Sequence, residues 1–313
     1  MGLSLLIVRK ALRIGCCAFL LLSVVLGSLA WWAPLPRAAG ATLLRSESNE
    51  PAEGRQVRHV LLEDASLGSI SLSLSLPHPL PERPLPIVFV LGGLQTGQAS
   101  IAHVREPGDN ILVGYDWPIP RQLPSGAELA WKLLELRRSA LVVPGQVAAA
   151  MGWVAAQPWA DGERLSLLGF SLGAIAAPAI QRLAATEGVP IGWTVLGYGG
   201  TDLGLLVSEH PKVRRTRWGA TLGLLTGLLL RPLEPAEHLP HLAGRFLVIA
   251  GRNDSLISER AAVRLRALTP EPKTVVLLEG DHLGVGRGQQ ELLERLIAEA
   301  RSWLAAEGAV NPP

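Results

Sequence analysis

The chain has 313 residues, 48% of them hydrophobic and 18% charged, with a net charge of +2. Such a composition excludes a disordered chain, and the length allows one large domain or two modest ones. The near-balance of charge argues against a nucleic-acid surface.

The first element in chain order is an N-terminal apolar run. Arg9, Lys10 and Arg13 precede a stretch from Ile14 to Pro34 that carries no charge. About 20 apolar residues span a bilayer as a helix. Positive charge before the run, with Trp31 and Trp32 at its far edge, predicts a cytoplasmic N-terminus and a domain outside. Ala39-Gly40-Ala41 offers a small-x-small cleavage site. Residues 1–41 are therefore expected to be a signal peptide or an N-terminal membrane anchor. The protein is expected at the inner membrane with its main domain extracytoplasmic, or secreted or periplasmic after cleavage. The only cysteines, Cys16 and Cys17, lie in this run and read as apolar filler, because Arg13 stands where a lipobox would be. The rest of the chain then has neither disulfide nor thiolate metal site. Arg outnumbers Lys, and Ala, Leu and Gly abound, as in a GC-rich bacterial coding bias.

Residues 42–55 are polar and Pro/Gly-containing, and read as a linker. Strands are expected over 56–66 and 68–77, the latter with Ile70, Leu72, Leu74 and Leu76 alternating with serines. A proline-rich loop leads to the buried strand IVFVLGG, 87–93, and another strand covers 110–118. A helix is expected over 144–158, opened by Pro144 and closed before Pro158. The strand RLSLLGF, 164–170, runs into Ser171 and a helix that contains Pro178 and should kink there. Strands follow at 191–200, 245–251 and 273–280, with amphipathic helices at 258–268 and 289–308. Strands alternating with helices predict an α/β fold with a mostly parallel central sheet covered on both faces. The stretch from about 202 to 240 breaks the rhythm and reads as an inserted helical cap, its apolar part too short for a second comfortable span.

In an open parallel sheet, ligands bind beyond the carboxyl ends of the strands. Three polar residues with chemistry to offer follow strands there: Ser171 in GFSLGA, Asp254 in GRNDSLIS and His282 in EGDHLG. A bare G-x-S-x-G is weak, since chance alone would supply about 0.2 of them in a chain this rich in glycine. Serine, acid and histidine in this order at three strand ends are far more specific. On these motifs, residues 56–309 resemble the α/β-hydrolase superfamily, particularly its dienelactone-hydrolase-like and prolyl-oligopeptidase-like serine esterases. The resemblance implies an α/β-hydrolase fold and a Ser-His-Asp triad.

Each residue type has a physical reason. A serine hydroxyl needs a base to become nucleophilic. His282 is suited to take and return that proton, and Asp254 would fix the imidazole tautomer and stabilise the imidazolium. The backbone N–H of Leu172 is one candidate oxyanion donor. The other is Gly93 or Leu94, in LGGLQTG, which resembles the family's His-Gly-Gly loop with Leu91 in place of the histidine.

Other polar residues receive quieter roles. Asp281 reads as a turn former and Asp116 as a loop residue. His59, His78 and His103, in strand or loop contexts without partners, read as surface residues. His210, His238 and His241 near the cap lack metal-site spacing, and no cofactor or metal is called for. The expected activity is hydrolysis of a carboxylic ester, small or lipid-like, through an acyl-enzyme. A peptidase or acyltransferase with the same triad, or a non-catalytic binding module on the same fold, stays open, because fold alone does not give the substrate. The cap and loops are expected to supply the pocket residues.

Overall fold

The computed structural model describes residues 34–40, 42–52, 54–122, 124, 126–283 and 290–312, together with 24, 25, 27 and 28. Most of the expected leader or anchor, 1–41, including all but four residues of its apolar run before Pro34, therefore lies outside the described residues. Among the described residues, no helix is long and apolar enough to cross a membrane.

Nine strands form one sheet in the order β1-β2-β3-β5-β4-β6-β7-β8-β9 among the described residues. Strands β1 (Leu43–Ala52), β2 (Arg55–Asp64) and β3 (Gly68–Pro77) make an antiparallel meander, and β3 pairs antiparallel with β5 (Ile111–Tyr115). From β5 onward the sheet is parallel, through β4 (Leu85–Leu91), β6 (Ala160–Phe170), β7 (Trp193–Gly197), β8 (Arg245–Gly251) and β9 (Lys273–Leu278).

The central strands read as continuous apolar runs because both of their faces are covered. All seven residues of β4 are buried. Ile87, Phe89 and Leu91 point into one core, against Val147, Met151 and Ile180. Val88 and Val90 point into the other, with Leu296, Ala300 and Leu304. The first core lies under α1 (Ala127–Ala155) and α2 (Leu172–Thr186), the second under α7 (Gln290–Ala306). Between β7 and β8 the chain forms α3 (Leu203–Glu209), α4 (Gly219–Leu229) and α5 (Pro235–His238), the insertion that the broken rhythm of 202–240 announces. Leu203 and Leu206 of this insertion pack on Ile257, Ala261 and Ala262, at and within α6 (Glu259–Leu268).

Two elements differ from expectation. Residues 42–55 are not a linker: Leu43–Ala52 is the edge strand, paired with β2 along its length. All ten of its residues are exposed, so no face of it carries an apolar signature. Its charges and Pro51 are the features by which edge strands avoid further pairing. Helix α1 begins at Ala127, not at Pro144, which lies inside it. Before Pro144 only Leu141 and Val143 are buried among the described side chains, while residues 145–151 are all buried. Only the second half therefore shows in the sequence as a core segment. The expected strand and helix positions elsewhere match the observed ones to within a few residues.

Candidate active site

Strand β6 ends at Phe170, α2 begins at Leu172, and Ser171 makes the whole connection. Its backbone sits at φ 53° and ψ −113°, a region that costs a non-glycine residue strain. Neighbours hold it there. The Ser171 N–H donates to the Gly197 carbonyl at 2.9 Å, and its carbonyl accepts from the N–H groups of Ala174 and Ile175. The flanking glycines are steric necessities. A Cβ on Gly169 would strike the carbonyl of Gly173, and one on Gly173 would strike the carbonyl of Leu91 in β4. Without side chains at these two positions, α2 starts close against the sheet and the serine oxygen stands clear.

The loops after β8 and β9 bring two more groups to that oxygen. Ser171 Oγ lies 2.9 Å from His282 Nε2, and His282 Nδ1 lies 2.9 Å from both carboxylate oxygens of Asp254. The His282 and Asp254 side chains are only 7% and 6% exposed. Asp254 Oδ1 also accepts the N–H groups of Leu256 and Ile257 at 2.9 and 2.8 Å, which fixes the carboxylate before it meets the ring. Such a line can pass a proton from hydroxyl to imidazole while the buried carboxylate balances the charge formed.

Asp281, adjacent to His282, faces away from this line. Its Oδ1 accepts the N–H of Ser255 at 2.8 Å and that of His282 at 2.6 Å, tying the β8 and β9 loops together. Hydrogen bonds from Ser255, then from the His282 backbone, hold its carboxyl below the usual carboxylate range. It is the turn residue that its sequence position suggests. Asp116 is also a loop residue, 3.9 Å from Arg121 and outside the cavity lining.

A cavity of about 440 Å³ opens beside Ser171 and His282. Its walls are mostly apolar, with Val90, Leu94, Phe170, Leu256, Leu293 and Ile297 prominent. Gly93 and Leu94, the candidate oxyanion loop, border it too. The Gly93 carbonyl accepts from the Thr96 N–H, the Thr96 hydroxyl and the Gly97 N–H, which pins the loop. Leu172 is the first residue of α2, so its N–H has no carbonyl four residues earlier within the helix to bond.

Three features depart from the sequence reading. The insertion contributes no residue to the cavity lining; α7 supplies that wall through Leu293 and Ile297. His103 is not a bystander on the surface, because the 3-10 helix Gly97–His103 brings it to the cavity. His59 has partners, Ser73 at 2.8 Å and Glu50 at 3.7 Å. Of the insertion histidines, His238 is buried, donates from Nε2 to the Pro232 carbonyl at 2.9 Å, and is made less basic by that burial.

One residue at the site was missed altogether. Tyr198 follows β7 at φ 55°, and its ring meets the His282 ring edge-on, at 5.9 Å and 86°. Its hydroxyl is buried with no hydrogen-bond partner among the described residues. Burial, and secondarily the Asp254 charge, push its pKa up to about 12. The signal was available: Tyr198 stands at a strand end between glycines in LGYGG, as Ser171 does in its own motif.

No protein-family model matches the chain, and neither does any curated protein. Solved structures do. The acetyl xylan esterase from Paenibacillus sp. R4 superposes with a TM-score of 0.61 at 16% identity, covering 89% of this chain and 93% of that one. This chain has the α/β-hydrolase fold. Acetyl xylan esterase 1 from Thermoanaerobacterium sp. JW/SL YS485 gives a TM-score of 0.59 at 14% identity, over 82% of this chain and 87% of that one. An S-formylglutathione hydrolase from Agrobacterium tumefaciens gives 0.54 at 14%, over 85% and 99%. At such identities the likeness is one of α/β-hydrolase architecture; the chemistry must be argued from the residues.

Proposed function

We propose that this α/β-hydrolase-fold protein is a serine hydrolase that cleaves carboxylic esters through an acyl-enzyme. The observation that carries the reading is the unbroken line from Ser171 to His282 to Asp254 at the mouth of an apolar cavity. In this reading His282 takes the Ser171 proton as the oxygen attacks the ester carbonyl, then returns it to the leaving alcohol. Asp254 orients the imidazole and stabilises its charged form. The N–H of Leu172, with that of Gly93 or Leu94, would hold the tetrahedral oxyanion. Water activated by His282 then attacks the acyl-enzyme and frees the acid.

The esterase names of several fold neighbours support an ester as substrate. The apolar walls favour an ester with an apolar acyl or alcohol part, small or lipid-like, over the polar backbone of a peptide. The N-terminal apolar run would keep the domain at the membrane, on its outer side, or send it across.

The test is hydrolysis of p-nitrophenyl butyrate by the full chain and by a Ser171→Ala variant. A loss in kcat/KM of roughly 10^4-fold or more, with unchanged circular dichroism, is expected. Retention of more than about a tenth of the activity would overturn the assignment of the nucleophile.

A further inference from the structure

Helix α4 carries no charged residue; it turns Leu224 to solvent and leaves Leu222, Leu225 and Leu228 half-buried. Only Gly219, Gly223 and Leu229 of it are buried. Its small residues face inward instead, where Gly223 meets Gly204 of α3 so closely that a Cβ on either would crowd the other's carbonyl. Leu224 is 55% exposed and Trp218 56%. Of the five leucines of α4 only Leu229 is buried, fewer than in the ordinary helix that buries its large apolar side chains.

The segment that leads into α4 is basic, while Arg231 after it pairs with Glu237 at 3.5 Å. Residues 210–233 contain Lys212, Arg214, Arg215, Arg217 and Arg231, and no Asp or Glu. Lys212, Arg214, Arg215 and Arg217 are exposed. The Arg217 guanidinium stacks over the Trp218 ring at 5.1 Å. The patch continues onto α1, whose Arg137 Nε donates to the Leu229 carbonyl at 2.9 Å. The exposed Trp131 and Leu134 lie earlier on that helix. Pro34, at the end of the uncharged 14–34 run, lines one cavity with Arg231 and Pro232, which directly follow α4 and Leu230. Pro34 thus lies beside the end of α4.

We propose that α4 and its basic approach, residues 212–230, form a docking surface for an anionic lipid membrane. Trp218 and Leu224 would enter the headgroup–acyl boundary, and the Lys212–Arg217 cluster would pair with phosphate headgroups. Exposed Trp with flanking Arg and Lys is the chemistry of that boundary. A second copy of the chain is a poor occupant, because a two-fold contact would set like-charged clusters against each other. The proposal stands apart from the ester chemistry, since the patch shares no residue with the Ser171 cavity.

The test is hydrogen exchange on the full chain reconstituted into phosphatidylcholine vesicles, with and without phosphatidylglycerol. Peptides covering 212–230 should exchange at least about tenfold more slowly when phosphatidylglycerol is present. That protection should vanish in high salt and in the Arg214→Glu/Arg215→Glu/Arg217→Glu variant, while α7 peptides and ester hydrolysis stay unchanged. Equal exchange in both vesicle types would overturn the proposal. So would protection that appears without vesicles and grows with protein concentration, which would assign the patch to self-association.

Discussion

The β6–α2 connection and the α3–α4 pair are both built on glycines that let backbones touch, and they use the contact for opposite ends. At the connection, Gly169 and Gly173 bring α2 against β6 and β4, and one polar atom, Ser171 Oγ, is presented while its surroundings close. In the insertion, Gly204 and Gly223 bring two helices together and leave Leu224 and Trp218 exposed. The difference lies in what else holds each region. Ser171 is tied to β7 through Gly197, to the β9 loop through His282, and through that ring to the β8 loop. That many constraints can sustain a strained backbone. The α3–α4 pair rests on the α6 cluster and a few bonds at its ends. The first arrangement suits a fixed reaction geometry, the second a surface.

Substitutions should separate the two regions in order of effect. Asp254→Asn, which keeps the shape but spoils the imidazole tautomer, should lower kcat by about 10^3- to 10^4-fold. Asp281→Asn, one residue from His282, should cost far less, and a reversed ranking in steady-state kinetics would exchange their roles. Gly173→Val would wedge α2 from β4 and displace the serine, so kcat should fall by at least about 100-fold. Gly223→Val meets an equally tight backbone neighbour. It should cost about 1–3 kcal/mol in denaturant unfolding and leave kcat unchanged. Equal kinetic effects from these two would erase the distinction between a reactive and a structural glycine contact.

Smaller effects probe the cavity. Ile297→Ala or Leu293→Ala should shift preference along a series of p-nitrophenyl esters, by about 0.8 kcal/mol for each methylene that loses contact. Replacing Leu224, Leu225 and Leu228 with Ala should leave the relative rates across the series flat, because none of them lines the cavity. The smallest effect is at acid pH. The Asp281 carboxyl is depressed in the folded protein from its ordinary 3.8. Its contribution is therefore complete above that ordinary value and lost as pH falls through the folded one. Asp281→Asn should remove that part of the acid loss in stability, as read from urea midpoints against pH.

The candidate triad was legible in the sequence because Ser171 directly follows the apolar strand β6, and Asp254 and His282 lie in the short loops after β8 and β9. The order Ser171, Asp254, His282 then needs no knowledge of packing. Tyr198 obeys the same rule after β7 but has no reactive group to draw notice. The walls of the cavity were not legible. Leu293 and Ile297 look like any other core positions of an amphipathic helix, and only the way α7 crosses the sheet turns them toward Ser171. The insertion was visible as a break in rhythm, yet its place away from the cavity depends on how α3 packs on α6. Strand β1 and the first half of α1 were hidden for a simpler reason. Strand β1 is exposed throughout, and the first half of α1 is exposed or half-buried apart from Leu141 and Val143, so neither shows the period on which sequence reading depends.

The most direct measurement of the central claim is stoichiometric labelling of the folded full chain with a fluorophosphonate, followed by peptide mapping. One adduct is expected, on Ser171 Oγ, formed quickly in the wild type and slowed strongly in the His282→Ala variant. Absence of an adduct, or an adduct on another residue with Ser171 unmodified, would contradict it.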